Sequence, residues 1–140
     1  MGYSFFHQQL QFTRSFKKKL NERLAEAGLF HSQWLLIYCL ECQKSATLVD
    51  ISEYLDVEKP TITRTVKRLA EQGLVEGIPS EDKRERRIKL TEKGIQVYEE
   101  AGRIVEQFEQ ELLKGISKQD EEITIRTIQH LRKKLNEGGI

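Results

Sequence analysis

The spacing of apolar residues changes twice along this 140-residue chain, and that change limits the folds the chain can adopt. Up to Gly73 the apolar residues recur every three or four positions, which is the period of an amphipathic helix. Two short segments, Leu74–Ile78 and Arg86–Leu90, follow a period of about two instead and read as strands. From Thr91 onward the helical period returns. The sequence therefore predicts a mainly helical fold with one small β-hairpin.

Local signals place the helix boundaries. Gly28 and Gly73 are suited to end helices, Pro60 suits a first turn, and Thr47 with Asp50 has the form of a capping box. Thr91 and Ser117 are the expected N-caps of the last two helices. These signals and the apolar spacing predict six helices, over residues 4–27, 31–43, 48–55, 60–72 and 92–114 and from Ser117 onward. The first helix has a second apolar stripe (Phe5, Phe12 and Phe16), which a chain of this size cannot readily cover by itself.

The charge of the chain is uneven, although its formal net charge is only +1. Residues 58–89 carry nine Lys and Arg against six Asp and Glu, and residues 1–24 carry five against one. Residues 92–140 carry eight against ten. Such polarisation is expected where one part of a protein meets a polyanion and another does not. No apolar run approaches the ~18 residues that span a membrane, and the N-terminus lacks a signal-peptide pattern, so we expect a cytoplasmic protein with no membrane partner.

The predicted helix beginning at Pro60 has two faces. Ile62, Val66 and Leu69 would face the core, and the opposite face carries Thr61, Arg64, Thr65 and Arg68 with Lys67 beside them. Arg can bond guanine bidentately and Thr can contact a base edge or a thymine methyl, so this face suits a DNA major groove. On its own it could equally be a solvated face on which Arg64 and Arg68 pair with Glu71 or Asp56. A short capped helix before it and a basic hairpin after it favour DNA binding.

The hairpin loop concentrates cations. Its candidate DNA-binding residues are Asp82, Lys83, Arg84, Arg86 and Arg87. A narrow minor groove attracts inserted arginines, and Asp82 could hold the Arg84 guanidinium in place. A solvated turn with compensating charges is the alternative for the hairpin taken alone.

These motifs resemble those of the MarR family of transcriptional regulators. Asp82-Lys-Arg84 followed by Leu90-Thr91-Glu-Lys-Gly94 is similar to the family's wing signature, and Thr61–Gly73 is similar to its recognition helix. The resemblance covers essentially the whole chain. It implies one winged-helix domain over residues 1–140, with a DNA-binding part at about 30–95 and dimerisation helices at 1–27 and 96–140.

The resemblance further implies a homodimeric regulator, a repressor released by a small effector, that binds a pseudopalindrome in double-stranded DNA. Base-reading positions fall on Pro60, Thr61 and Arg64, a backbone contact on Arg68, and a minor-groove contact on Arg84. The full set predicted for the recognition helix is Pro60, Thr61, Thr63, Arg64, Thr65, Lys67 and Arg68.

The chain departs from the family's pattern at the start of its second helix, where Leu29-Phe30 replaces the usual Leu-Thr. Another residue must then cap this helix, for which Ser32 is a candidate, and Phe30 is free to line the apolar cleft between the dimerisation and DNA-binding parts. The predicted pocket for a small apolar or aromatic effector comprises Phe12, Phe16, Phe30, Trp34 and Tyr38.

Cys39 and Cys42 are the two cysteines of the chain. Zinc needs about four ligands, and the sequence offers no second pair, so we expect a buried thiol at Cys39, a more exposed one at Cys42, and no metal or cofactor. The chain also lacks the phosphate loops and nucleophile motifs of enzymes. The alternatives are a redox-sensing regulator that uses Cys39 and Cys42, or a winged helix that binds protein.

Overall fold

The computed structural model describes residues 4–79 and 86–138, which form six helices and three strands. The helices are α1 (Phe5–Leu24), α2 (His31–Gln43), α3 (Leu48–Leu55), α4 (Lys59–Glu71), α5 (Glu92–Leu113) and α6 (Lys118–Asn136). The strands are β1 (Ala46–Thr47), β2 (Val75–Ile78) and β3 (Arg87–Leu90). In the part of the chain described, no helix has both the length and the apolar character needed to cross a membrane.

The core is built around α2. Its side chains Leu36, Ile37, Cys39 and Leu40 are at most 1% exposed, in keeping with the nearly all-round apolar surface of this helix. Leu20 and Leu24 of α1, Ile51 of α3 and Leu69 of α4 are also buried in the same cluster. The helices before the hairpin therefore share one core, which fixes α3 and α4 relative to α2.

The junction between α1 and α2 differs from the prediction. The last turn before Gly28 is a 3₁₀ turn over Ala25–Ala27, and Gly28 follows with a φ of 73°. Helix α2 begins at His31, so Ser32 is already inside it and the predicted N-cap is wrong. The N-cap residue is Phe30, whose side chain has no acceptor. Two amides at this end are satisfied from elsewhere: Asn21 Oδ1 accepts from His31 N at 2.6 Å and Gln33 Oε1 accepts from Phe30 N at 2.9 Å.

The predicted hairpin is part of a three-stranded antiparallel sheet in the order β1-β3-β2. Val75 pairs with Leu90 and Ile78 with Arg87 across β2 and β3, while Thr47 pairs with Arg87 across β1 and β3. Strand β1 was not predicted, because two residues are too few to show a period. Thr47 ends this strand and also caps α3, accepting from Asp50 N at 3.1 Å.

Thr91 joins the sheet to α5 and to the end of α4. Its backbone N–H donates to the Leu74 carbonyl at 3.0 Å, and its hydroxyl donates to the Gly73 carbonyl at 2.6 Å. The same hydroxyl oxygen accepts from Gly94 N at 3.0 Å, which confirms Thr91 as the N-cap of α5. Lys93 Nζ adds a bond of 3.0 Å to the Gln72 carbonyl. The carboxyl end of α4 is thus tied to the amino end of α5.

The chain divides into two compact units, one ending at Phe108 and the other beginning at Glu109. The second unit contains the end of α5 and all of α6. Ser117 caps α6 as predicted, its hydroxyl accepting from Asp120 N at 3.0 Å. No residue of α6 is buried, and Ile123, Ile125 and Leu135 are 45–70% exposed.

Candidate nucleic-acid interface

Helix α4 is held on the core by its apolar face. Ile62 and Leu69 are buried and Val66 packs against the same cluster, as the sequence predicts. The turn between α3 and α4 passes through Asp56 in the left-handed region, with a φ of 53°. Ser52 closes this turn by donating its hydroxyl to the Val57 carbonyl at 2.6 Å. The opposite face of α4 is thereby turned outward in a fixed orientation.

That outward face carries an ordered set of polar groups. Arg64 Nη2 donates to Thr61 Oγ1 at 3.3 Å, so the hydroxyl of Thr61 steadies the guanidinium one turn away. The hydroxyls of Thr63 and Thr65 donate to the carbonyls of Lys59 and Thr61, each at 3.0 Å. With their protons used within the helix, Thr63 and Thr65 present an acceptor oxygen and a methyl group outward.

The cations of this face are not neutralised. Arg64, Lys67 and Arg68 are exposed. Within residues 4–79 and 86–138, no ion pair joins any of them to a carboxylate, so the pairing with Glu71 or Asp56 considered above is not observed. At the amino end, Pro60 lies in the first turn and the side chain of the N-cap residue Glu58 makes no capping hydrogen bond. The amides there and the positive end of the helix dipole remain available to an anion.

The hairpin is described only at its base. Asp82, Lys83 and Arg84 lie outside the described residues, so their expected roles stay predictions. Arg86 is exposed, and Lys89 of β3 lies 3.7 Å from Glu76 of β2 in an exposed cross-strand pair.

Arg87, although assigned with Arg86 to DNA contact, faces the body of the protein. Its Nη1 donates to Ser45 Oγ at 3.3 Å, and its Nη2 lies 3.9 Å from Asp50 Oδ2. Nothing in the composition of the hairpin distinguishes these two arginines. Their difference comes from the pairing of β3 with β1.

The ring contacts place four of the five side chains predicted to line an effector pocket in two pairs, and Phe30 in neither. Phe12 stacks on Phe16 and Phe16 on Phe108, with ring centroids 5.8 and 5.5 Å apart. Trp34 stacks on Tyr98 at 5.6 Å and contacts Tyr38 at 5.9 Å. Phe30 is 61% exposed.

A cavity of about 280 Å³ lies elsewhere, where the α1–α2 junction meets the end of α4 and the start of α5. Its lining includes Leu29, Gln72, Leu74 and Lys93. None of the five predicted pocket residues takes part in this lining, and neither Gln72 nor Lys93 was predicted to line a pocket.

The two cysteines are in different environments, as predicted. Cys39 is buried and Cys42 is exposed. Burial, with a smaller contribution from Cys42, raises the pKa of the Cys39 thiol to about 11. A thiol with that pKa is protonated at neutral pH and is a poor nucleophile. The described residues bring no group of three or more His, Cys, Asp or Glu together that could hold a metal.

We therefore expect one fast-reacting thiol per folded chain. Titration with a thiol-reactive chromogenic disulfide at neutral pH should release one equivalent quickly, from Cys42, and a second only after denaturation. In the control variant Cys42→Ser the fast equivalent should vanish. Fast reaction of both thiols in the folded protein would contradict the buried position of Cys39 and would favour a redox pair.

Comparison with known proteins agrees with this geometry. The family model described as "MarR family" matches residues 29–85. The uncharacterised HTH-type transcriptional regulator YwoH of Bacillus subtilis (strain 168) is 44% identical over 116 residues, which are 83% of this chain and 85% of that protein.

Solved structures extend the likeness to nearly the whole chain. Staphylococcus aureus MarR, solved in complex with salicylate and kanamycin, superposes with a TM-score of 0.86 at 29% identity, covering 95% of this chain and 91% of that one. The S. aureus MepR–DNA complex gives 0.84 at 20% identity over 95% and 97% of the two chains, which shows a shared fold.

Proposed function

Since this chain belongs to the MarR family of winged helix-turn-helix transcriptional regulators, which are not enzymes, we propose that it acts by binding double-stranded DNA as a cytoplasmic homodimer. In this proposal α4 enters the major groove and the hairpin reaches the adjacent minor groove. Two copies of the winged helix, at about residues 30–95, bind the two halves of a pseudopalindromic operator. Occupation of the operator represses transcription.

The observation that carries the proposal is the outward face of α4. It combines exposed cations, which no carboxylate within residues 4–79 and 86–138 pairs with, and threonine acceptors and methyl groups, and the Arg64 guanidinium is already steadied by Thr61. A face that bound another protein would be expected to expose apolar side chains at its centre. Here the apolar residues Ile62 and Leu69 are buried instead.

A salt titration tests this proposal. Binding of the protein to a fluorescent duplex of random sequence, followed by anisotropy, should weaken steeply as salt rises, because each phosphate contact releases counterions. A single-stranded oligonucleotide of the same length is the control for duplex binding. Absence of binding to the duplex at low salt would contradict the proposed function.

Dimerisation is supported by apolar side chains exposed at the amino end of α1 and, independently, along α6. Phe5, Phe6, Leu10 and Phe12 of α1 are 51–61% exposed. Phe16, which we assigned to the same uncovered stripe, is instead packed against Phe108. Clusters of exposed apolar residues of this kind mark interaction surfaces.

We expect the protein to be a dimer at micromolar concentration. Sedimentation should give a mass of about twice 16.4 kDa. Leu10→Glu should shift the protein toward monomer, since it places a charge in the apolar surface of α1. The matched control Val49→Glu, at a position of α3 that is 48% exposed, should stay dimeric. A folded wild-type monomer would contradict both the dimer and the two half-sites.

Release by a small apolar or aromatic molecule is the finer part of the proposal. It is supported by two exposed aromatic side chains, Phe30 just before α2 and Tyr38 within it, and by the relative solved with salicylate. Because the ring contacts within one chain join Phe12 with Phe16 and Trp34 with Tyr38 but leave Phe30 exposed, we propose that a partner protomer contributes to closing the site.

A further inference from the structure

Arg86 and Arg87 are neighbours in sequence but have different surroundings. Successive side chains of a strand point to opposite faces. Arg86 is exposed just before β3, whereas Arg87 is the first residue of β3 and is half-buried where β3 meets β1. The sequence predicts a DNA contact for both arginines, whereas in the structure Arg86 is exposed and Arg87 is half-buried.

The Arg87 guanidinium spans β1. It contacts Ser45, the residue before this strand, and Asp50, in the first turn of α3 that follows it. The backbone of Arg87 is paired with Thr47 of the same strand. Arg87 therefore contacts a residue before β1 (Ser45), a residue within β1 (Thr47) and a residue after β1 (Asp50).

Asp50 is a well-defined partner for Arg87. Its Oδ2 accepts from the backbone N–H of Thr47 at 3.1 Å, and its own N–H donates to Thr47 Oγ1 at 3.1 Å. Hydrogen bonding from the backbone N–H and the hydroxyl of Thr47, and to a smaller degree the charge of Arg87, lower the pKa of the Asp50 carboxyl. The carboxylate is therefore ionised at neutral pH, with the Arg87 guanidinium beside it.

We propose that Arg87 is a positioning residue, which holds the wing strand β3 on the first turn of α3 and so sets the distance between the hairpin and α4. The inference rests on the proposed DNA-binding function. Since α3 leads directly into α4 through the Asp56 turn, a fixed β3–α3 contact lets hairpin and recognition helix reach their two grooves together.

The variant Asp50→Asn distinguishes a positioning role of Arg87 from a role as a phosphate ligand. If Arg87 were a phosphate ligand, Asp50→Asn would free its guanidinium and remove a negative charge, so DNA binding would stay the same or become tighter. If Arg87 positions the wing, Asp50→Asn should weaken binding although it makes the protein more basic. Asn keeps an oxygen that can accept from Thr47 N, so the cap of α3 is retained.

The experiment is a double-mutant cycle, read by anisotropy on one duplex that the wild type binds. We expect Arg87→Ala and Asp50→Asn each to weaken binding by about three- to tenfold, and the double variant to be no weaker than Arg87→Ala, because that variant has already lost the contact with Asp50. Arg87→Lys should resemble Arg87→Ala, since an ammonium lacks the planar fork that reaches two partners. Arg86→Ala is the control. When it is combined with Asp50→Asn, the loss of binding free energy should be the sum of the two single losses.

Each other outcome has a defined meaning. Equal or tighter binding by Asp50→Asn, with additive effects in the double variant, would overturn the positioning role and make Arg87 a phosphate ligand. Wild-type affinity in Arg87→Lys would do the same. Failure of the wild type to bind any duplex would instead overturn the proposed function, and this inference with it. Thermal melts of the wild type and of every variant identify any variant that has lost its fold. If Arg87→Ala has done so, the milder change Arg87→Lys takes its place in the comparison.

Discussion

Gly94→Ala should destabilise the protein by about 3 kcal/mol, at the upper end of the cost of forcing extra volume into a packed site. A Cβ at this position would lie 2.1 Å from the Leu74 carbonyl oxygen and 3.1 Å from its carbonyl carbon. Both atoms are backbone, and the same carbonyl accepts the Thr91 N–H that joins the sheet to α5. Relief of the clash must therefore displace the link between the end of α4 and the start of α5.

Gly102→Ala in the same helix is the matched control. Its new Cβ would lie 3.7 Å from the Trp34 ring, an ordinary contact. Because alanine favours a helix interior over glycine by roughly 0.5–1 kcal/mol, this variant should be as stable as the wild type or more so. Thermal unfolding followed by circular dichroism should show a midpoint about 10 °C lower for Gly94→Ala and no fall for Gly102→Ala. Equal midpoints for the two variants would contradict the close approach of Leu74.

Arg64→Ala should have the largest effect on DNA binding of any single change in α4. Arg64 is exposed at the centre of the outward face and is steadied by Thr61, so we expect it to contact a base edge directly. Loss of one such contact costs about 1–3 kcal/mol, or roughly five- to 150-fold in affinity, and relaxes the preference at that base pair.

Two variants accompany this measurement. Arg103→Ala removes an equal charge from an exposed position of α5 and should change affinity little, which separates base contact from general electrostatics. Thr61→Val removes the hydroxyl that accepts from Arg64 and should give a smaller loss in the same direction. Arg64→Ala and Arg103→Ala variants with the same affinity would mean that α4 is not the recognition helix.

The parts of the fold that sequence predicted well are those set by neighbouring residues. The caps at Thr47, Thr91 and Ser117 each depend on a hydroxyl and an amide three positions away, so the pattern is visible in the chain itself. The same holds for Gly73, which is in the left-handed region with a φ of 76° at the end of α4. The buried and outward faces of α4 follow from its period in the same way.

The parts that sequence missed depend on residues distant along the chain. The cap at the start of α2 comes partly from Asn21, ten positions earlier. A pattern of neighbouring residues could not indicate this, and Ser32 was the candidate that it offered. Strand β1 exists because Thr47 pairs with Arg87, forty positions away. The orientation of Arg87 follows from that pairing, and no feature of the basic hairpin loop could have indicated it.

The separation of the predicted effector residues has a similar cause. Aromatic spacing along α1 and α2 indicated apolar faces, but it could not say that Phe16 packs on Phe108 of α5 or that Trp34 packs on Tyr98. Both partners lie on a helix more than 60 positions later in the chain. The resemblance of motifs identified the family, whereas the arrangement of individual side chains required the fold.

The central claim is that two copies of this winged helix bind the two halves of one DNA site. Selection of bound sequences from a pool of random duplexes, with the wild-type protein, tests it most directly. We predict a recovered motif that is pseudopalindromic, with half-site centres about 10 base pairs, or one helical turn, apart. Recovery of no enriched sequence, or of a single half-site with no symmetric partner, would contradict the account.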